Sequence, residues 1–95
     1  MNNEQIIESC GNVFLDLGFS PEEAAIMAMR SELMAKLRLT IDARGWTQAE
    51  AAKVLHVSQA RVSDLVRGKW DKFSLDMLIT LATRAGLHPK LELAA

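Results

Sequence analysis

With 95 residues, 49% of them apolar and 24% charged, the chain has room for one core and one domain around it. A single cysteine, Cys10, excludes an internal disulfide, and neither it nor His56 or His88 sits in a metal-ligand pattern, so no metal or cofactor is expected. The formal net charge of −1 excludes a broadly basic surface, no run approaches the roughly 18 apolar residues of a membrane span, and the start lacks a signal-peptide pattern, so the cytosol is the expected compartment.

Residues 1–20 read as an apolar and acidic arm. Ile6, Ile7, Val13, Phe14, Leu15, Leu17 and Phe19 are too apolar for a plain tail, while Gly11 and Gly18 interrupt any long helix. Two readings stay open: the arm packs back on the domain, or it docks on a partner protein through Val13, Phe14, Leu17 and Phe19, ordering as it binds.

Residues 21–95 form the domain proper. Ser20-Pro21-Glu22-Glu23 is a helix start, with Ser as N-cap, Pro at the first helical position and Glu23 placed for a capping box. The helical pattern then runs to Arg44, with Ile26, Met29, Leu33, Leu37 and Ile41 on one side and Gly45 as the stop. Ser31 is an alternative cap, which leaves a break near Arg30 open. Met27, Met29, Met34 and Met77 read as core filler.

Thr47 to Gly68 carries the most information. Thr47 with Glu50 makes a second capping box, Ser58 caps the next helix alone, and Gly68 suits the left-handed residue that ends it. Ala49, Ala52, Val54 and Leu55 supply the apolar face of the first helix, and Val57, Val62, Leu65 and Val66 that of the second. Only His56 and Val57 lie between the first helix and the cap of the second, so the two must cross steeply, with the small Ala52 letting their backbones approach. The outward face then carries Gln59, Ala60, Arg61, Ser63, Asp64 and Arg67, side chains suited to a DNA groove.

Lys69 to Lys72 reads as a loop, and Ser74 caps a further helix in which Phe73 packing on Leu78 makes a hydrophobic staple. Met77, Leu78, Leu81 and Ala82 form its buried stripe and Gly86 ends it. Trp46 reads as a cover for the core, and Trp70 either packs under the loop or touches the DNA backbone beside Lys69 and Lys72. His88-Pro89 forces extension, and alternation over Lys90–Leu93 admits a short strand that needs a pairing partner. The fold class is therefore all-α, a four- to five-helix DNA-binding domain with room for one terminal strand.

Charge is divided along the chain. Residues 1–29 hold Glu4, Glu8, Asp16, Glu22 and Glu23 with no Lys or Arg, whereas 30–72 hold nine basic residues against five acidic ones, so the first segment is −5 and the second +4. Screening limits electrostatic reach to about 8 to 10 Å, so the local +4 is what a phosphate meets.

From Gln48 to Arg67 the chain resembles the Cro/repressor-like (XRE) family of helix-turn-helix regulators: Gln48 and Gln59 stand where phage-repressor relatives carry glutamines, and the small Ala52 and the apolar Val57, Val62 and Leu65 follow the pattern. His56 departs from it, because the family commonly has Gly in the turn. Asn12 to Phe19 resembles the NVF-x-DLGF segment ahead of the helix-turn-helix in small HigA-like antitoxins, and with GKWDKFS after the second helix the likeness covers most of the chain. The resemblance implies a bidentate contact from Gln59 to an adenine edge, with Gln48 on phosphate. The function expected is a homodimeric repressor of a palindromic operator, acting as the antitoxin of a toxin protein or as a free-standing regulator. Gln48, Ser58 and Lys69 are then expected to hold phosphates, Gln59, Ala60, Arg61 and Ser63 to inspect bases, and Arg67 to do either. No nucleophile-base pair or Gly-rich phosphate loop points to an enzyme.

Overall fold

The computed structural model describes residues 13–94, so Ile6, Ile7, Cys10 and Gly11 lie outside the described residues. After a helical turn over residues 13–16, four α-helices follow: α1 (Pro21–Ala43), α2 (Gln48–Leu55), α3 (Gln59–Val66) and α4 (Leu75–Arg84), with a 3-10 turn at Trp70–Lys72 between α3 and α4. The fold is all-α. Lys90–Leu93 is not paired into a sheet, and there is no strand among the described residues.

α1 begins with a complete capping box. The Glu23 amide donates to Ser20 Oγ at 3.2 Å and the Ser20 amide to the Glu23 carboxylate at 3.1 Å. Ser31 does not interrupt it; one helix of 23 residues runs through the position of the alternative cap. Its buried stripe is Ala24, Met34, Leu37 and Ile41, with Leu33 packed partly against the core. Ile26 and Met29, expected on that stripe, are 45% and 39% exposed. Angle alone does not explain this, since Ile26 lies only about 20° around the helix from Leu37. The difference is in what reaches the helix. Leu37 is level with the core built by α2, α3 and α4, whereas beside the first turns stand the loop gripped by Arg30 and the arm laid on Trp70.

Leu37, Leu55, Val62, Leu65, Phe73, Leu78 and Leu81 form the centre of the core, each fully buried. In α2 the buried face is Ala51, Ala52 and Leu55. Ala49 is exposed, because it stands about 120° around the helix from Leu55 while Ala51 stands about 40° away. Val62 and Leu65 are inside as expected and Val57 is half-buried against them. In α4, Leu78, Leu81 and Ala82 are buried and Met77 is half-buried; Phe73 and Leu78 occupy the two staple positions, both inside. Met34 is the methionine that fills the core; Met77 lies at its edge, Met27 is half-buried beside Arg30 and Met29 is exposed.

All four helices stop in the same way. The residue after each carries a positive φ in the left-handed region, or the residue after that does, and a reverse hydrogen bond spanning five positions closes the end: Trp46 to Ile41 O after α1, Val57 to Ala52 O after α2, Lys69 to Asp64 O after α3, and Leu87 to Ala82 O after α4. Glycine holds the left-handed position three times. In the turn after α2 it is His56, at φ 59° and ψ 45°.

Candidate nucleic-acid interface

The helix-turn-helix is set by caps at both helix starts and by one long-range hydrogen bond at the turn. At α2, the Glu50 amide donates to Thr47 Oγ1 at 3.1 Å and the Thr47 amide to the Glu50 carboxylate at 2.8 Å. At α3, the Arg61 amide donates to Ser58 Oγ at 3.2 Å, with no reciprocal acid. Arg84, on α4, donates from Nη1 to the Leu55 carbonyl at 2.9 Å. That carbonyl belongs to the last residue of α2, where the helix has no internal donor to offer, so Arg84 both satisfies it and ties α4 to the turn.

Gln48 and Gln59 each occupy the first position of their helix, and both are exposed. Around α3, taking Gln59 as origin, Ser63 lies at about 40°, Arg67 at about 80°, Ala60 at about 100° and Asp64 at about 140°. The buried Val62 and Leu65 lie on the opposite side, at about 300° and 240°. Gln59, Ala60 and Arg67 are exposed and Ser63 and Asp64 half-buried, so one continuous face carries them, with Lys69 half-buried just beyond. The caps and the apolar pair together turn this face outward.

Arg61 is not on it. At about 200° from Gln59 it stands across the helix from Ser63. Its guanidinium lies over the Phe73 ring, 5.4 Å from the centroid, and donates to the Lys72 carbonyl at 3.0 Å. The half-buried Asp64 meets the exposed Lys72 amine at 3.9 Å, a long, solvent-accessible pair worth little in stability.

The loop after α3 is also gripped by Arg30 of α1, which donates from Nε to the Phe73 carbonyl and from Nη2 to the Trp70 carbonyl, both at 2.9 Å. The same guanidinium lies 5.3 Å from the Trp70 ring centroid. Trp70 is half-buried under the loop, and its ring meets Phe14 edge to face at 5.9 Å and 80°. Phe14 meets Phe19 in turn at 6.1 Å. Of the four arm residues singled out above, Phe14 and Phe19 thus turn toward the domain, while Val13 and Leu17 are 51% and 69% exposed. Trp46 covers the edge of the core beneath the Arg44 guanidinium.

Reasoning from sequence did not find Arg30, Arg84 or Arg38. Arg38 Nη1 lies 3.2 Å from where a Cβ on Gly68 would stand, so its guanidinium covers the loop between Arg67 and Lys69 and adds a cation to that end of α3. None of the three has a local signature, since each acts on a residue at least 29 positions away.

Two steeply joined short helices, the second presenting a polar face, define the helix-turn-helix class. A family model described as a helix-turn-helix domain matches residues 13–93, and the chain belongs to that family, for which DNA binding is the implied activity. No curated protein matches the chain. Among the described residues no helix is long and apolar enough to cross a membrane.

Proposed function

We propose that the chain is a sequence-specific transcriptional repressor that binds a palindromic operator as a homodimer and autoregulates its operon as the antitoxin of a toxin-antitoxin pair. The observation that carries the DNA-reading part is the exposed face of Gln59, Ala60, Ser63 and Arg67 opposite the buried Val62 and Leu65. Gln59 reads a base edge, with Ala60 and Ser63 beside it and Arg67 reaching base or phosphate. Gln48 and Lys69 hold phosphates. Ser58 does so while capping α3, since its hydroxyl accepts from the Arg61 amide and keeps its own proton to donate. In the dimer the two α3 helices enter successive major grooves about 34 Å apart.

Gln59→Ala is expected to cost about 1 to 3 kcal/mol on the matched operator and to relax preference at one base pair. Binding titrations on matched and scrambled duplexes at several salt concentrations check this. Equal loss on both duplexes removes Gln59 as a reader.

The arm supports two readings. The exposed Val13 and Leu17 favour a protein partner, and co-purification with the product of a neighbouring small open reading frame tests it. The Phe14–Trp70 contact favours the alternative, a free-standing regulator whose arm is structural, which is the reading left if no partner is retained.

A further inference from the structure

We infer that Arg61 is a positioning residue of the DNA-binding surface, acting with Arg30 to clamp the Trp70–Phe73 loop, so that Lys69 and Lys72 stand ready for phosphate, and that it does not read a base. Three observations carry this. Arg61 stands about 160° around α3 from Ser63, so the two cannot enter the same groove. Its guanidinium is already engaged, by the Lys72 carbonyl at 3.0 Å and the face of the fully buried Phe73 ring at 5.4 Å. Arg30 holds the two ends of the same loop through the Trp70 and Phe73 carbonyls. The gripped loop carries Lys72, with Lys69 just before its first held residue, and Asp64, one turn along α3 from Arg61, meets the Lys72 amine at 3.9 Å.

The planar guanidinium matters more than the charge. A lysine at 61 keeps the cation but cannot both stack on Phe73 and reach the carbonyl in the same geometry. A plain phosphate contact would tolerate lysine far better, because an ammonium still donates to a phosphate, and a base reader would lose preference at one base pair of the operator.

The inference rests on the DNA-binding reading, so the test has one arm that needs no DNA. Arg61→Gln, Arg61→Lys and Arg30→Gln are compared with the unaltered chain by amide hydrogen exchange at Lys72 and Phe73, whose amides bond to Lys69 O and Trp70 O within the loop, and by titration on matched and scrambled duplexes. Arg61 is exposed, so its variants fold. The expected result is exchange at those two amides faster by about tenfold in the two Arg61 variants, the loss of one charge-assisted hydrogen bond, and faster still in Arg30→Gln, which loses two. Affinity falls by a similar factor on both duplexes, and the Arg30 and Arg61 changes combine non-additively because they hold one loop. Unchanged loop exchange in Arg61→Gln overturns the clamp. So does a loss confined to one base pair of the matched operator, or full binding by Arg61→Lys. If the unaltered chain binds no duplex, the function reading fails, and the exchange measurement still decides whether the clamp exists.

Discussion

Residues 47–68, ten of twenty-two apolar, are poorer in apolar side chains than residues 13–30, eleven of eighteen, yet more of theirs are fully buried, and the two regions build in opposite ways. In the helix-turn-helix, the caps and stops are local, Thr47 with Glu50, Ser58 with the Arg61 amide and Val57 closing the turn on Ala52, with Val62 and Leu65 inside and Arg84 adding one distant bond to the Leu55 carbonyl. In the arm and the first turns of α1, what holds the chain lies 40 or more positions away, Arg30 on Trp70 and Phe73, and much of the apolar surface, Val13, Leu17, Ile26 and Met29, stays exposed. The first region is the proposed reading head, fixed mainly by contacts within one or two turns. The second is a covering held on by a few aromatic and arginine contacts.

The sharpest way to break that contrast is in the reading head. Leu65 is 1% exposed and joins α3 to the core, so Leu65→Ala is expected to cost about 2 to 5 kcal/mol in unfolding free energy. In a domain of this size each kcal/mol moves the melting temperature by about 4 to 8 °C. Thermal and urea unfolding measure it. A cost below about 1 kcal/mol would mean that α3 is not anchored where its outward face requires.

The covering predicts a smaller effect. Phe14 is half-buried against Trp70, and Phe14→Ala is expected to cost about 1 to 2 kcal/mol, from partial burial and one edge-to-face pair. Leu17→Ala, on the exposed side of the same arm, should stay within about 0.5 kcal/mol. Trp70 emission read in a Trp46→Phe background would shift for the first and not for the second. Equal effects of the two substitutions would mean that the arm is not docked through Phe14.

The same contrast explains what was legible in the sequence. Caps, stops and the buried pair Val62 and Leu65 follow from rules that act within one or two turns, and all were readable from residue type and spacing. Faces were readable only where something covers them. Ile26 has the right angle but lies beyond the reach of the core cluster, and Ala49 lies a third of a turn from the buried Leu55. Arg61 shows the limit most clearly. As an arginine on the second helix it is expected among the readers, and its contact with the Phe73 ring, twelve residues on and brought back by the loop, has no trace in the spacing. Arg30 and Arg84 were invisible for the same reason, because a guanidinium that satisfies a distant carbonyl leaves no periodic trace.

The smallest effect returns to the turn between the two helices, the one helix stop without glycine. His56 is exposed and held at φ 59°, a conformation that costs an ordinary residue about 1 to 2 kcal/mol and glycine almost nothing. Glycine would also loosen the unfolded chain, which offsets about 0.5 to 1 kcal/mol of that gain. His56→Gly is therefore expected to stabilise the domain by about 0.5 to 1 kcal/mol while leaving operator affinity unchanged, because the Val57 amide still bonds to Ala52 O and Arg84 still holds the Leu55 carbonyl. Urea unfolding and one titration decide both halves. A loss of stability would show that the imidazole itself contributes to the turn. Weaker binding at unchanged stability would show instead that it belongs to the DNA-facing surface, and the reading head would then extend one residue further than its caps and buried pair define.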